Sequence, residues 1–181
     1  CKFHATDRAQ LVCEMALDLL GDHGSAHEAG IERILRDVRL TRIFEVSIVF
    51  NQMLGLKITS ITPDKVKARI AMRPELVGHY AYNRIRGGVI SAGLDAMGGL
   101  AVMAAIGARH MDEAPSQRLH RFAKLGTIDL RVDYLRPGIG EQFELHAEVM
   151  RLGSRVASTR MEFLGADGKL LSTGSAAYIV S

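Results

Sequence analysis

Read as a pattern of apolar and polar positions, the chain changes its period several times. In residues 1–22 a helical stripe of Leu11, Met15, Leu19 and Leu20 ends at Gly21. A second helix is expected from Ser25, where Ser25 and Glu28 have capping-box spacing, with Ile31, Ile34, Leu35 and Val38 on its apolar face. A third helical stretch runs from Thr41 to about Met53 and presents Ile43, Phe44, Ser47, Phe50 and Leu54. From Leu56 the period drops to two. Leu56, Ile58 and Ser60 alternate with polar residues, Thr62-Pro63-Asp64 turns, and Val66, Ala68, Ile70 and Met72 alternate again, which predicts a hairpin with one wet face. Residues 73–86 read as an irregular connection.

The longest apolar run follows. Gly87 to Ala108 is 22 residues with Asp95 as its sole charge. A helix apolar all round is either the buried centre of a domain or a membrane span. Length permits a span, but the run is built more from Gly and Ala than from Leu and Ile, and half-buried strands that need a core follow it. The buried centre is therefore the expectation, and no membrane span is expected. His110–Gly126 reads as a polar loop. Four strands complete the chain: Ile128, Leu130, Val132 and Tyr134 face one way on the first; Phe143, Leu145, Ala147 and Val149 on the second; Ala157, Thr159, Met161 and Phe163 on the third. Asp167-Gly168 then turns the chain into a last strand from Leu170 to Val180. One long apolar helix and one antiparallel sheet bury each other only if the sheet curls around the helix, so the order β-β-helix-β-β-β-β predicts an α+β architecture of the hotdog kind. Residues 1–38 are expected to be an N-terminal helical extension and residues 39–181 the hotdog domain.

Composition narrows the class. The 181 residues are 48% hydrophobic and 24% charged, ordinary for a globular protein, and long enough for a real core. A net charge of +3 and a pI near 9.0 suit polyanionic small molecules. With 6% aromatics, no Trp and no basic stripe interleaved with aromatics, nucleic acid is not an expected partner. Cys1 and Cys13 form neither a disulfide framework nor a metal-ligand spacing. No secretory signal pattern opens the chain, so a cytoplasmic location is expected.

The chemistry centres on the apolar helix. A lone carboxylate there is costly unless paired, hydrogen-bonded or neutralised, which singles out Asp95. Gly87 and Gly88 at the helix mouth let a ligand approach free backbone amides and the positive end of the helix dipole, a place for an anion or a developing oxyanion. Gly88 and Asp95 are seven residues apart, on nearly one face but roughly 10 Å apart along the axis. Asp95 cannot serve its own helix mouth, but it can serve that of an antiparallel second copy. The spacing therefore predicts a homodimer with two composite sites. Arg86 is a candidate for polarising a carbonyl or holding Asp95 ionised, and His79 and Asn83 are candidate donors nearby. Arg118, His120, Arg121 and Lys124 form a basic cluster able to meet phosphates. No Ser/Cys–His–Asp pattern, metal-ligand spacing or P-loop is present, and neither a metal nor a cofactor is expected.

Arg86-Gly87-Gly88-Val89-Ile90 followed by Asp95 resembles the H-G-G-x(6)-D signature of the PaaI-type hotdog thioesterases. Gly126-Thr127-Ile128-Asp129-Leu130-Arg131-Val132-Asp133-Tyr134-Leu135-Arg136-Pro137-Gly138 is similar to the bacterial YigI-like acyl-CoA thioesterases. The resemblance covers about residues 40–181. It implies a homodimer, often paired into a dimer of dimers, that hydrolyses medium- to long-chain acyl-CoA without a metal. Gly88, with Gly87, would hold the thioester oxygen, and Asp95 would act as general base or nucleophile. Arg86, His79, Asn83, Arg121 and Arg136 would contact substrate. The family's His before Gly-Gly is Arg86 here, a bulkier and permanently charged donor. That departure keeps open a non-catalytic hotdog module binding acyl-CoA or fatty acids. A hotdog dehydratase or hydratase is the weaker alternative, since the central helix has no His beside its carboxylate.

Overall fold

The computed structural model describes residues 50–180, and Phe50–Ser181 form a compact unit of their own. The expected helices within 1–49, and the expected boundary at 38/39, lie outside the described residues. Helical backbone over 50–54 ends at Gly55, whose φ of 69° is a left-handed value that glycine takes without strain.

Two strands, β1 (Leu56–Ile61) and β2 (Lys65–Ala71), pair antiparallel. The turn between them is closed by Thr62, whose Oγ1 accepts from the Lys65 amide at 3.0 Å. The connection 73–86 is more ordered than its sequence predicts. Single 3-10 turns at Pro74–Leu76 and Tyr80–Tyr82 flank β3 (Val77–His79), which pairs with β4 (Arg84–Ile85). The long helix α1 spans Gly87–Arg109. The expected loop after it contains a second helix, α2 (Pro115–Ala123). It starts on a proline, which fits the first helical turn where its missing N–H costs nothing, and the Gln117 side chain accepts from the Ala114 amide at 3.3 Å. Four strands follow: β5 (Gly126–Tyr134), β6 (Gln142–Leu152), β7 (Val156–Gly165) and β8 (Leu170–Ile179).

β1, β2, β6, β7, β8 and β5 lie side by side in that order as one antiparallel sheet. The alternation expected from sequence sets its faces. Val66, Ala68 and Ile70 of β2, Phe143, Leu145 and Ala147 of β6, and Ala157, Met161 and Phe163 of β7 are buried against α1. The opposite face is wet and laced with charge, as in the pairs Arg69–Glu144 (2.9 Å) and Arg160–Glu162 (3.6 Å). α1 runs across the apolar face, so the helix is the core of this domain, as expected, although it is long and apolar enough by composition to cross a membrane. Among the described residues α1 is only partly covered: Val89, Ile90, Leu94, Met97, Ala101, Val102 and Ile106 are buried, while Gly88, Ser91, Ala92, Asp95, Ala96, Gly99 and Met103 keep access.

Two expected strand faces are broken. On β1 an extra residue at Thr59 pairs Ser60 with Lys67 and Ile61 with Val66, so Ser60 leaves the face shared by Leu56 and Ile58. On β5 the break is at Ile128. Leu130 and Val132 of β5 do turn toward the helix, but Ile128 is 57% exposed. A β-bulge is the reason: Thr127 pairs with Tyr178 and Asp129 with Ala177, leaving Ile128 as an extra residue. Directly paired residues share a face, so the bulge turns Thr127 inward, beside Tyr178, where strict alternation would have put Ile128.

Candidate active site

The bulge explains how Asp95 is accommodated on an apolar helix. Thr127 Oγ1 donates to Asp95 Oδ1 at 2.9 Å. From β8, the Tyr178 hydroxyl lies 2.9 Å from the Asp95 carbonyl oxygen and 3.2 Å from Oδ1, and its one proton is shared between them. Among the described residues Oδ2 accepts no hydrogen bond. Burial, and then the neighbouring Asp95 charge, push the Tyr178 phenol far above its ordinary pKa, so it stays protonated and remains a donor. Asp95 is thus half-buried, fixed through one oxygen, with the other free.

The helix mouth is held by the 73–86 connection. The Arg86 amide donates to Leu76 O and the Ile85 amide to Gly138 O, both at 2.9 Å. A Cβ on Gly78 would lie 2.8 Å from Arg86 Cα, so only glycine permits this close approach. At the start of α1, Val89 and Ile90 donate back to Arg86 O at 3.0 and 3.3 Å, and no side chain caps the helix. The amides of Gly87 and Gly88 in the first turn therefore remain available as donors. Gly88 is exposed and nothing lies within 4 Å of where its Cβ would be, whereas Tyr134 covers Gly87 and donates to its carbonyl at 3.0 Å. Of the two glycines, Gly88 is the one open to a ligand.

The remaining candidates divide by place. Arg86 is exposed at the mouth. His79 is two residues beyond Val77 in the adjoining ladder and packs its ring against Tyr82, 5.1 Å between centroids. Asn83 takes a left-handed φ of 45°, which Asn tolerates better than most residues, and so bends the chain back toward the mouth. Arg136 is tied to the end of β8 through Nη1 to Leu170 O at 2.9 Å. Arg121 is elsewhere, on α2 beside the far end of α1, about 20 Å along the helix from Asp95 by its rise per residue. Its Nε and Nη2 are bidentate on Glu113 at 2.8 and 2.6 Å, and that pairing holds the Glu113 carboxyl below the ordinary carboxylate range. Glu113, Gln117, His120, Arg121, Lys124 and Ser154 line a cleft of about 550 Å³ there. The structure therefore gathers Arg86, Gly87, Gly88, His79 and Asn83 at one end of α1, puts Asp95 two turns along, and sets Arg121 apart. Sequence reasoning missed Thr127 and Tyr178. Both are ordinary strand residues by pattern, and only the bulge brings Thr127 to the helix.

Comparison with known proteins bears on both ends of the chain. The Thioesterase superfamily model matches residues 82–172, which include the helix mouth, Asp95 and Thr127. The chain is 33% identical to the Medium/long-chain acyl-CoA thioesterase YigI of Escherichia coli over 138 residues, covering 76% of this chain and 89% of that protein. It is 35% identical to the protein of that name from Salmonella typhimurium over 140 residues, with the same shares covered. A crystal structure from Shewanella oneidensis, described as related to the thioesterase superfamily, superposes with a TM-score of 0.71 at 36% identity, covering 80% of this chain and 98% of that one. Residues 1–45 match a different family model, Acyl-CoA dehydrogenase, C-terminal domain.

Proposed function

Since the chain belongs to the thioesterase superfamily and is a thioester hydrolase, we propose that it cleaves medium- to long-chain acyl-CoA to free acid and CoA at a site built on Asp95 and Gly88. The observation that carries the reading is Asp95 itself, a carboxylate on the core helix with Oδ1 held by Thr127 and Oδ2 free. The relatives named for acyl-CoA support CoA as the thiol, and so does the match of residues 1–45 to part of another acyl-CoA enzyme.

Two balanced routes use the free oxygen. As general base, Asp95 takes a proton from water while the water oxygen adds to the thioester carbonyl; the C–S bond breaks and the CoA thiolate leaves with that proton. As nucleophile, Oδ2 adds to the carbonyl and expels the thiolate, giving a mixed anhydride that water hydrolyses to restore the carboxylate. In both, negative charge develops on the carbonyl oxygen, and the Gly88 amide at a helix N-terminus is suited to stabilise it. Because Gly88 and Asp95 of one chain are two helical turns apart, the working unit is a homodimer in which each site takes Gly88 from one subunit and Asp95 from the other. Arg86, His79 and Asn83 border the thioester end. Arg121, with Nη1 not spent on Glu113, faces the CoA phosphates from the basic cleft. No metal or cofactor enters the scheme, and the proposed location remains the cytoplasm.

The test is thiol release from acyl-CoAs of increasing chain length by the wild type and Asp95→Asn. Hydrolysis that peaks at medium or long chains and falls at least a hundredfold in the variant is expected. Full activity in Asp95→Asn would sink the reading. The non-catalytic binding module that Arg86 in the place of the family's His kept open is set aside, since the relatives are named as acyl-CoA thioesterases.

A further inference from the structure

We infer that Tyr178 is a positioning residue for the reaction: its hydroxyl fixes Asp95 through the backbone carbonyl and Oδ1 together, so that Oδ2 alone is presented to water or to the thioester carbonyl. The inference rests on the role proposed for Asp95. Tyr178 lies beyond residue 172, outside the stretch matched by the thioesterase family model.

The Tyr178 hydroxyl does more than find one partner for a buried phenol. Tyr178 is 2% exposed, and its hydroxyl reaches the main chain and the side chain of the same residue at 2.9 and 3.2 Å. A tyrosine needing only to satisfy its phenol would be content with the carbonyl. Reaching Oδ1 as well ties the carboxylate to its own helix backbone and removes most of the rotational freedom of the Asp95 side chain. The helix leaves room for it at one position. A Cβ on Gly98 would sit on the Tyr178 hydroxyl and 3.0 Å from Cζ, so the glycine three residues after Asp95 makes the space the phenol occupies. The sheet holds the ring from the other side, since Tyr178 is paired with Thr127 on β5 and Ala157 on β7. Thr127 donates to Oδ1 and Tyr178 shares its one proton between Oδ1 and the Asp95 carbonyl, so that among the described residues Oδ2 has no donor. The raised phenol pKa keeps the donor protonated wherever a thioesterase would work.

Orientation of a reacting group acts on the rate of the bound complex more than on substrate affinity. Tyr178→Phe is therefore expected to lower kcat about 10- to 100-fold, the effect of one hydrogen bond to a charged group, with KM for acyl-CoA unchanged within about twofold. Gly98→Ala displaces the same hydroxyl from the helix side and is expected to reproduce the loss. In the Tyr178→Phe background Gly98→Ala should cost less than it does alone, because the hydroxyl it strikes is gone. A purely structural role would lower thermal stability while leaving kcat of the folded enzyme at the wild-type value, and that result in Tyr178→Phe overturns the inference. Should Tyr178→Phe not be recovered folded, kcat of Gly98→Ala decides in the same way. Asp95→Asn separates the two claims. If it keeps full activity, the role of Asp95 itself falls. If it is inactive while Tyr178→Phe turns over normally, only the positioning claim falls.

Discussion

Single side chains on the two faces of the sheet meet opposite problems. On the helix face Asp95 is given two hydroxyl donors, whereas on the outer face His146 is placed where its charged form is disfavoured. His146 sits on β6 with its Nε2 buried and without a hydrogen-bond partner among the described residues. Lys67 is its register partner on β2 and Lys65 lies on the same strand; Glu144 and Glu162 approach its ring nitrogens at 3.6 and 3.9 Å. Burial first, then the two lysines, lower its pKa, and the two glutamates only partly offset them. With the folded value below the unfolded one, the unfolded chain binds more protons between the two, so stability rises with pH there. Stability from His146 is thus fully present above the ordinary histidine pKa of about 6.5 and is lost as pH falls through the lowered folded value. Urea midpoints of the wild type should drop between pH 8 and pH 5.5, and His146→Gln should flatten that drop. An unchanged slope in the variant would remove His146 as the cause.

At the scale of elements, what was legible in the sequence was whatever periodicity controls. The hairpin at Thr62, the bounds of α1 to within a residue and the four closing strands follow from spacing, because apolar residues recur at the period of each element over most of its length. The bulge at Ile128 was not legible. A single inserted residue leaves the apolar alternation of β5 intact on paper while reversing which residue faces Asp95, and only pairing with β8 reveals it. α2 was missed for another reason. It is short and polar, it lends Phe122 to the core, and Pro115 read as a loop marker although proline also opens helices. That the basic run is helical matters for binding. His120, Arg121 and Lys124 converge on one cleft, and Glu113 fixes the Arg121 guanidinium while leaving Nη1 unspent. If this cleft meets the phosphates of CoA, Arg121→Ala should raise KM for acyl-CoA several-fold, a loss of about 1 kcal/mol or more for a charge-assisted contact. It should leave KM for the matching acyl-pantetheine, which lacks the nucleotide, unchanged. Equal effects on both substrates would mean that Arg121 merely supports the fold around α2.

For the whole molecule the decisive feature is the side of α1 that the described residues leave accessible. The stripe Gly88, Ala92, Ala96, Gly99 and Met103 is small and apolar, broken by Ser91 and Asp95. Small residues allow two helices to approach closely, and an antiparallel copy on this stripe would bring each Gly88 to the other chain's Asp95. That arrangement has a quantitative consequence which a site contained in one chain lacks. Gly88→Pro deletes the proposed oxyanion donor in the first helical turn, where proline is tolerated, and nothing lies within 4 Å of where its Cβ would be. Alone, it should be inactive, as should Asp95→Asn. Mixed in equal amounts, unfolded and refolded together, half of the dimers would be hybrids. Each hybrid carries one site with both defects and one with neither, so roughly a quarter of wild-type activity should return. If each site were built within a single chain, every site in the mixture would keep one defect and no activity would return. The recovered fraction therefore reads out both the dimer and the sharing of its sites.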